Sequence, residues 1–434
     1  MEIPRLKREV GPKGATIIGL GSMLGTGVYI AIGLAAGISG FYIFLSIVLS
    51  CFLAICNGFS SAQLAADHPT SGGTYEFGRI HLSKEIGFIA GWVFIFAKGA
   101  SAATAALAIA GYVKGYFEID IEHFVKIFPI IIIIVLGGII QLGLRFTIVV
   151  NTIIVSITIL SLIILIFAGF YILNKGGGHS LVFELPRDFS YNSFFTSFLY
   201  STSLVFVAFT GYSRIATMAE DMISPGDTIR KAIFFSIMIV TILYLGVGFI
   251  GLSVIGADNF SQEAINNGAP LIRVAKTLDS QLLLIIISVG AVTAMLGVML
   301  NLILGVSRVL LQMGRNHDMP RFFAVIKNSN PIYATLFACI IVAILVTIGD
   351  IKSNWSLSAF KVLVYYSITN LAALKLLPAA RFYPRWVSYA GLSGCLLLVI
   401  FFEHKTLIQG ASLVLGGILW FYLFLLVNRF RFNR

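Results

Sequence analysis

Gly19-Leu20-Gly21-Ser22-Met23-Leu24-Gly25-Thr26-Gly27-Val28-Tyr29 lies in the middle of the first apolar stretch of the chain, and four of its first nine residues are glycine. Glycine in a helix interior costs about 1 kcal/mol relative to alanine, so a cluster of them needs a physical reason. A second such place is Phe206-Val207-Ala208-Phe209-Thr210-Gly211-Tyr212. Close helix packing through small residues is one reason. The other is that both helices unwind there. Freed N–H groups in the first could then hold a carboxylate, and freed C=O groups in the second an ammonium.

Outward from these segments, composition decides the class. Of 434 residues 58% are hydrophobic and 11% charged, against about 25% charged in soluble domains. Mean hydropathy is +0.95. Crossing the hydrocarbon core takes about 20 mostly apolar residues. On that measure twelve spans are expected, near 15–38, 41–65, 86–113, 127–144, 147–173, 192–217, 232–256, 281–311, 332–349, 355–377, 386–402 and 407–428. The glycine-rich segments fall in spans one and six, corresponding places in two five-span halves, which is the pattern of an inverted-repeat transporter. The chain therefore reads as one all-α membrane domain over 1–434. Its halves are 14–173 and 190–377, with helices 11 and 12 in 384–428.

The net charge of +11 reads as orientation. With both termini inside, twenty of the thirty Lys and Arg residues fall in cytoplasmic segments and eight in outer loops, with Lys98 and Lys361 inside spans. This is the bias of a multi-pass protein of the cell membrane, and it argues against a nucleic-acid partner. Cys51, Cys56, Cys339 and Cys395 lie in apolar stretches, without the spacing of a metal site or disulfide frame. Met1–Lys13 is basic and lacks a small-residue cleavage site, so the first span is expected to be retained. The loop with Gly176–Gly178 reads as flexible. No cofactor or metal is expected.

Further motifs follow in order. Pro69-Thr70-Ser71-Gly72-Gly73-Thr74-Tyr75 follows span two, and Ala219-Glu220-Asp221-Met222-Ile223-Ser224-Pro225 follows span six. Val306-Ser307-Arg308-Val309-Leu310 ends span eight and leads to Pro320. Tyr365-Tyr366 and Asn370 lie in span ten, with Tyr383-Pro384-Arg385 beyond it. With the glycine-rich first span, these resemble the amino acid–polyamine–organocation (APC) superfamily of secondary transporters over essentially the whole chain. The resemblance implies a core of two inverted five-helix repeats, interrupted in helices 1 and 6, plus two additional helices. It also implies an amino acid substrate and alternating access. Gly25, Thr26 and Gly27 would surround the carboxylate, and the carbonyls of Met23, Val207, Ala208 and Thr210 the ammonium. Phe206 and Phe209 would form part of the gate or side-chain pocket. A zwitterion stripped of water must be satisfied at both ends, which broken helices do without full charges.

The chain departs from the superfamily where coupling is concerned. No Asp or Glu falls near the middle of any span. Thr158 stands where some relatives have a lysine in span five, and Met295-Leu296-Gly297 replaces a sodium-binding hydroxyl pair. A Glu found in span three of relatives that take cationic substrates is absent, and Gly91-Trp92 is followed by Ala97-Lys98. Lys98 is about 20 Å of helix from either end of its span, too far to snorkel. A charge at that depth costs at least about 2.5–3.5 kcal/mol and should face a cavity or a partner. Lys98 is thus the coupling candidate, either titrating with transported protons or standing in permanently for a bound cation. A lysine bonded to backbone carbonyls for structural reasons, or held neutral by burial, is the alternative. Its charge disfavours cationic substrates, so neutral amino acids are expected, carried with protons or by exchange.

Rival classes are a polyamine or organic-amine exchanger, an amino acid sensor on the same scaffold, a channel and an enzyme. The amine substrates would leave the Gly25–Gly27 segment unused. A channel wants a polar stripe or charged rings. An enzyme needs clustered chemistry, yet His68, His81, His123, His179, His317 and His404 all lie in loops or at span ends.

Overall fold

Within hydrocarbon every peptide N–H and C=O must be satisfied by the chain itself, which makes helices the local solution for apolar runs of this length. The computed structural model describes residues 8, 10–117, 119, 123–142, 144–175, 191–327 and 330–432. The glycine loop at 176–178 and the basic residues within 1–7 lie outside them. Among the described residues the chain is helical, with isolated bridges at Val10–Met222 and Lys327–Asn330 and no strand.

The first half contains α1 (Pro12–Met23), α2 (Ile32–Ser39), α3 (Ile43–Asp67), α4 (Thr74–His81), α5 (Lys84–Phe117), α6 (Phe124–Gln141) and α7 (Leu144–Asn174). There follow α8 (Tyr191–Phe209), α9 (Ser213–Thr217), α10 (Pro225–Ile255), α11 (Ala257–Asn266), α12 (Pro270–Thr277) and α13 (Gln281–Arg315). The chain continues with α14 (Ile332–Ile348), α15 (Ile351–Leu374), α16 (Arg385–Val399) and α17 (His404–Phe432). Among the described residues nine helical runs are long and apolar enough to cross a membrane. One of them, Pro12–Asp67, extends over 56 residues and includes two of the expected spans. The apolar helices α14 and α16 are shorter.

Burial divides these runs into centre and rim. In α5 94% of the apolar window is buried, against 22% in α6 and 17% in α17. The first is therefore enclosed by protein, so Lys98 stands at the heart of the molecule. The other two present Ile131, Ile134, Leu419 and Leu423 outward, as a lipid-facing surface should. Buried amide pairs tie distant helices together. Asn370 donates to Asn57 (2.6 Å), joining α15 to α3, and Asn301 donates to Asn151 (2.6 Å), joining α13 to α7.

Span one breaks where its glycines cluster. Helix α1 ends at Met23, and Leu24 leaves the helical region at φ −81°, ψ 76°. A wide π-type turn over Gly27–Ala31 then leads into α2, closed by the Ile32 N–H on the Gly27 carbonyl. Span six behaves differently from the expected unwinding. Helix α8 tightens into a 3-10 turn at Thr210–Tyr212 and resumes as α9. Two side chains supply short local bonds there, Thr210 Oγ1 to the Val207 carbonyl (2.7 Å) and Ser213 Oγ to the Thr210 carbonyl (2.9 Å). They favour a tighter helix over an open gap.

The glycines also set how closely the two spans approach. A Cβ on Gly211 would lie 2.5 Å from the Ser22 backbone carbon and oxygen. Backbone cannot rotate aside, so Gly211→Ala should force the two spans apart. The expected loss is about 1–3 kcal/mol, as for overpacked cores. A Cβ on Gly416 meets nothing within 4 Å. Thermal unfolding of purified protein should show a lower midpoint for Gly211→Ala and little change for Gly416→Ala.

Candidate functional site

The break in span one and the tight turn in span six face each other across a cavity of about 20 Å³. That is room for about one water. Of the expected site residues, Met23, Thr26, Gly27, Val207, Ala208, Thr210 and Lys98 line it. Gly25, Phe206 and Phe209 do not. Gly25 faces α13, where a Cβ would lie 2.3 Å from Val298 Cγ2. Phe206 stacks edge-on with Tyr366 (ring centroids 6.0 Å apart) and Phe209 packs on Tyr244 (5.0 Å), both fully buried. Each aromatic ring is held by a tyrosine in the helix packing rather than aimed at the cavity.

The lining includes residues the sequence reading passed over. Ser101 sits almost one turn beyond Lys98 on α5, and Val298 and Leu302 are four residues apart on α13. Helical spacing from Lys98 could have found Ser101. Trp355, whose indole donates to the Leu204 carbonyl (3.2 Å), gave no local signal because it comes from a distant helix.

All four carbonyls expected around an ammonium already receive a protein donor. The Tyr244 hydroxyl lies 2.8 Å from the Met23 carbonyl and 3.0 Å from that of Ala208, bridging the two spans with one proton. Thr210 Oγ1 donates to the Val207 carbonyl. Lys98 Nζ donates to both oxygens of Thr210, carbonyl and hydroxyl, at 3.2 Å. The Tyr366 hydroxyl reaches the same carbonyl at 3.3 Å. The Phe94 and Tyr365 rings stand 5.9 and 5.6 Å from Nζ, within range of cation–π attraction. Lys98 thus places its own amine on one of the acceptors expected around an ammonium.

A family model for amino acid permeases matches residues 10–428, all but the two ends of the sequence. The chain belongs to this family. An uncharacterized transporter of Mycobacterium tuberculosis is 32% identical, over 96% of this chain and 91% of its own length. The branched-chain amino acid permease BcaP of Bacillus subtilis is 26% identical, over 96% and 93%. Cationic amino acid transporter 3 of Arabidopsis thaliana is 24% identical, over 82% of this chain and 60% of its own length. The permease is a multi-pass membrane transporter within the APC superfamily, and not an enzyme.

The two ends of the permease differ. Beyond Tyr29 and Tyr112 an open depression of about 720 Å³ is lined by Lys114, Glu263, Arg273 and Lys276 among others. Tyr112, beside Gly111 in that lining, donates to the Tyr29 carbonyl (3.3 Å), and the Tyr29 hydroxyl pairs with Ser161 (2.9 Å). The opposite end is tied by the Ser71–Tyr75 loop, α4 and the end of α13. Asp318 accepts from the Tyr75 hydroxyl (2.6 Å) and Arg79 (2.9 Å). Asn316 donates to Glu76 (2.9 Å), and Ser71 donates to Glu220 (2.7 Å), which also meets Arg315.

Burial raises Asp318 above the usual carboxylate range, against the lowering influence of the Tyr75 bond and the Arg79 charge. Burial likewise raises Glu76, against its bond from Asn316. Opening this end would hydrate both carboxyls and return them toward ordinary values. The closed arrangement therefore binds protons more tightly than an open one. Its advantage is fully present below the ordinary carboxylate range and is lost as pH rises through the raised values. Spin labels on α4 and the end of α13 should report a smaller open population on acidification. Asp318→Asn combined with Glu76→Gln should remove that response. A wider opening in acid would contradict it.

Proposed function

We propose that this permease carries neutral amino acids across the cell membrane by alternating access, with Lys98 as the charge-bearing group of a proton-coupled cycle. The carboxylate rests on the N–H groups of Thr26 and Gly27, where span one resumes after its break and offers the positive end of a helix. The ammonium is taken by the carbonyls of Met23, Val207, Ala208 and Thr210. In this reading the chain crosses the bilayer twelve times, in two inverted five-helix repeats plus two further helices. Span one opens the first repeat and span six the second, with the site between them, and both termini and the Asp318 end face the cytoplasm.

One observation carries the proposal. Lys98 Nζ sits on the two oxygens of Thr210 at the edge of a cavity too small for an amino acid. The empty carrier holds its own ammonium there, and an incoming substrate displaces it. A like charge beside the site repels a second cation. Val298, Leu302 and Trp355 offer an apolar wall for a hydrophobic side chain. The likeness to a branched-chain amino acid permease supports the same substrate class. The cationic amino acid transporters among the relatives point the other way, but no carboxylate in the lining would pair with a cationic side chain.

Lys98→Ala removes the amine from the Thr210 oxygens, leaving the carbonyl with Ser213 and Tyr366. Binding of a neutral amino acid should tighten by up to about tenfold, roughly one charge-assisted hydrogen bond. The pH dependence of uptake into proteoliposomes should flatten, while Lys98→Arg retains part of the activity. An unchanged affinity and pH profile in the alanine variant would remove Lys98 from the cycle. Binding of decarboxylated amines in preference to the parent amino acids would remove the zwitterion reading itself. Counterflow of labelled substrate separates a carrier from a sensor.

A further inference from the structure

Four residues beyond Thr210, in α9, Arg214 is 3% exposed. Its aliphatic stem lies over Gly305 of α13, where a Cβ would meet Arg214 Cδ at 3.6 Å. Three residues further along α13 is Arg308, 1% exposed and within electrostatic reach of Arg214. Arg214 Nη1 donates to Thr217 Oγ1 (3.2 Å), and Arg308 Nη2 stands 3.8 Å from Asp221 Oδ1. The remaining donors are unmet. Among the described residues, Nε and Nη2 of Arg214 and Nε and Nη1 of Arg308 reach no hydrogen-bond partner.

Among the described residues two guanidiniums here face one carboxylate, that of Asp221, one positive charge more than negative. Arginine does not give up its proton, so the surplus cannot be relieved by titration. A buried charge without a partner costs several kcal/mol. Among the described residues the acids toward the Asp318 end are already engaged: Glu220 with Ser71 and Arg315, Asp318 with Tyr75 and Arg79, and Glu76 with Asn316. What the pair lacks is one negative charge with acceptor lone pairs.

We propose that Arg214 and Arg308 form a buried binding site for one monovalent anion, a carboxylate or a halide, between the central cavity and the Asp318 end. Planar guanidinium forks suit a carboxylate, and their surplus charge suits either anion. The place follows from α13. Leu302 lines the central cavity and Arg308 comes six residues later, about 9 Å along the helix. Beyond Arg308 on the same helix come Gln312 and Arg315, the latter in the network at the Asp318 end. A carboxylate leaving Thr26 and Gly27 toward that end meets the arginine pair before it meets water. The anion in the resting carrier comes from one of two sources, the substrate's own carboxylate in passage or a free halide. The passage role rests on the amino acid reading, whereas the anion site itself does not.

The test uses the full-length protein in detergent without any amino acid, at constant ionic strength with a bulky sulfonate as the balancing anion. Chloride is titrated in one series and acetate in another, and the thermal midpoint is followed. Binding to the folded state alone should raise it saturably, by a few degrees for a ligand well above its dissociation constant. A rise with acetate alone assigns the site to carboxylates, with chloride alone to the free halide, and with both to either. Arg214→Gln should abolish the rise. With its charges balanced against Asp221, it should also melt no lower than wild type in the anion-free buffer. Arg214→Lys should keep a weakened response, which guards against misfolding as the cause. No saturable rise in wild type with either anion, or the same rise in Arg214→Gln, overturns the proposal. Uptake plays no part in this measurement, so its failure leaves the amino acid reading standing.

Discussion

A polar group taken out of water must find its partner inside the chain, and the arrangement at the centre of this permease follows from that requirement. Breaking span one and tightening span six exposes carbonyls at Met23, Val207, Ala208 and Thr210. In the absence of a ligand each is met by a hydroxyl or an amine of the protein. Tyr244 is the hinge of this economy, because one phenolic proton serves a carbonyl from each span. Lys98 completes it with a charge. The centre is thus satisfied by the protein's own donors, which explains how so small a cavity coexists with so irregular a backbone.

The same requirement arranges the charges along the axis. Lys98 stands at the cavity, Arg214 and Arg308 come next toward the Asp318 end with Asp221 beside them, and Glu76, Glu220 and Asp318 belong to the network at that end. The acids serve the closure, since Asp318, Glu76 and Glu220 each hold a side chain from another segment. The ties at the Asp318 end and the lining of the central cavity are therefore made by different residues.

The glycine stretch was legible in the sequence, although it served two purposes at once. Gly25 and Gly27 allow neighbours to approach within contact of the backbone, and Leu24–Gly25 is where the helix breaks, so close packing and interruption were never true alternatives. Span six was harder. Its sequence resembles a break, but Thr210 and Ser213 bond to nearby carbonyls and convert the gap into a tighter helix. Phe206 and Phe209 lie in the expected segment but outside the cavity lining, packed on Tyr366 and Tyr244 from other helices.

By itself the sequence determined that this chain lives in the bilayer, which of its helices carries an interior charge, and where glycine makes a helix weak. These follow from length, hydropathy and local conformational cost, all properties of neighbours along the chain. Only the tertiary structure decided which atom Lys98 touches, that Tyr244 bridges two spans, and that Arg214 shares its burial with Arg308. Residues far apart in sequence meet through helix packing, and the satisfaction of a buried donor depends on who arrives from the other helix.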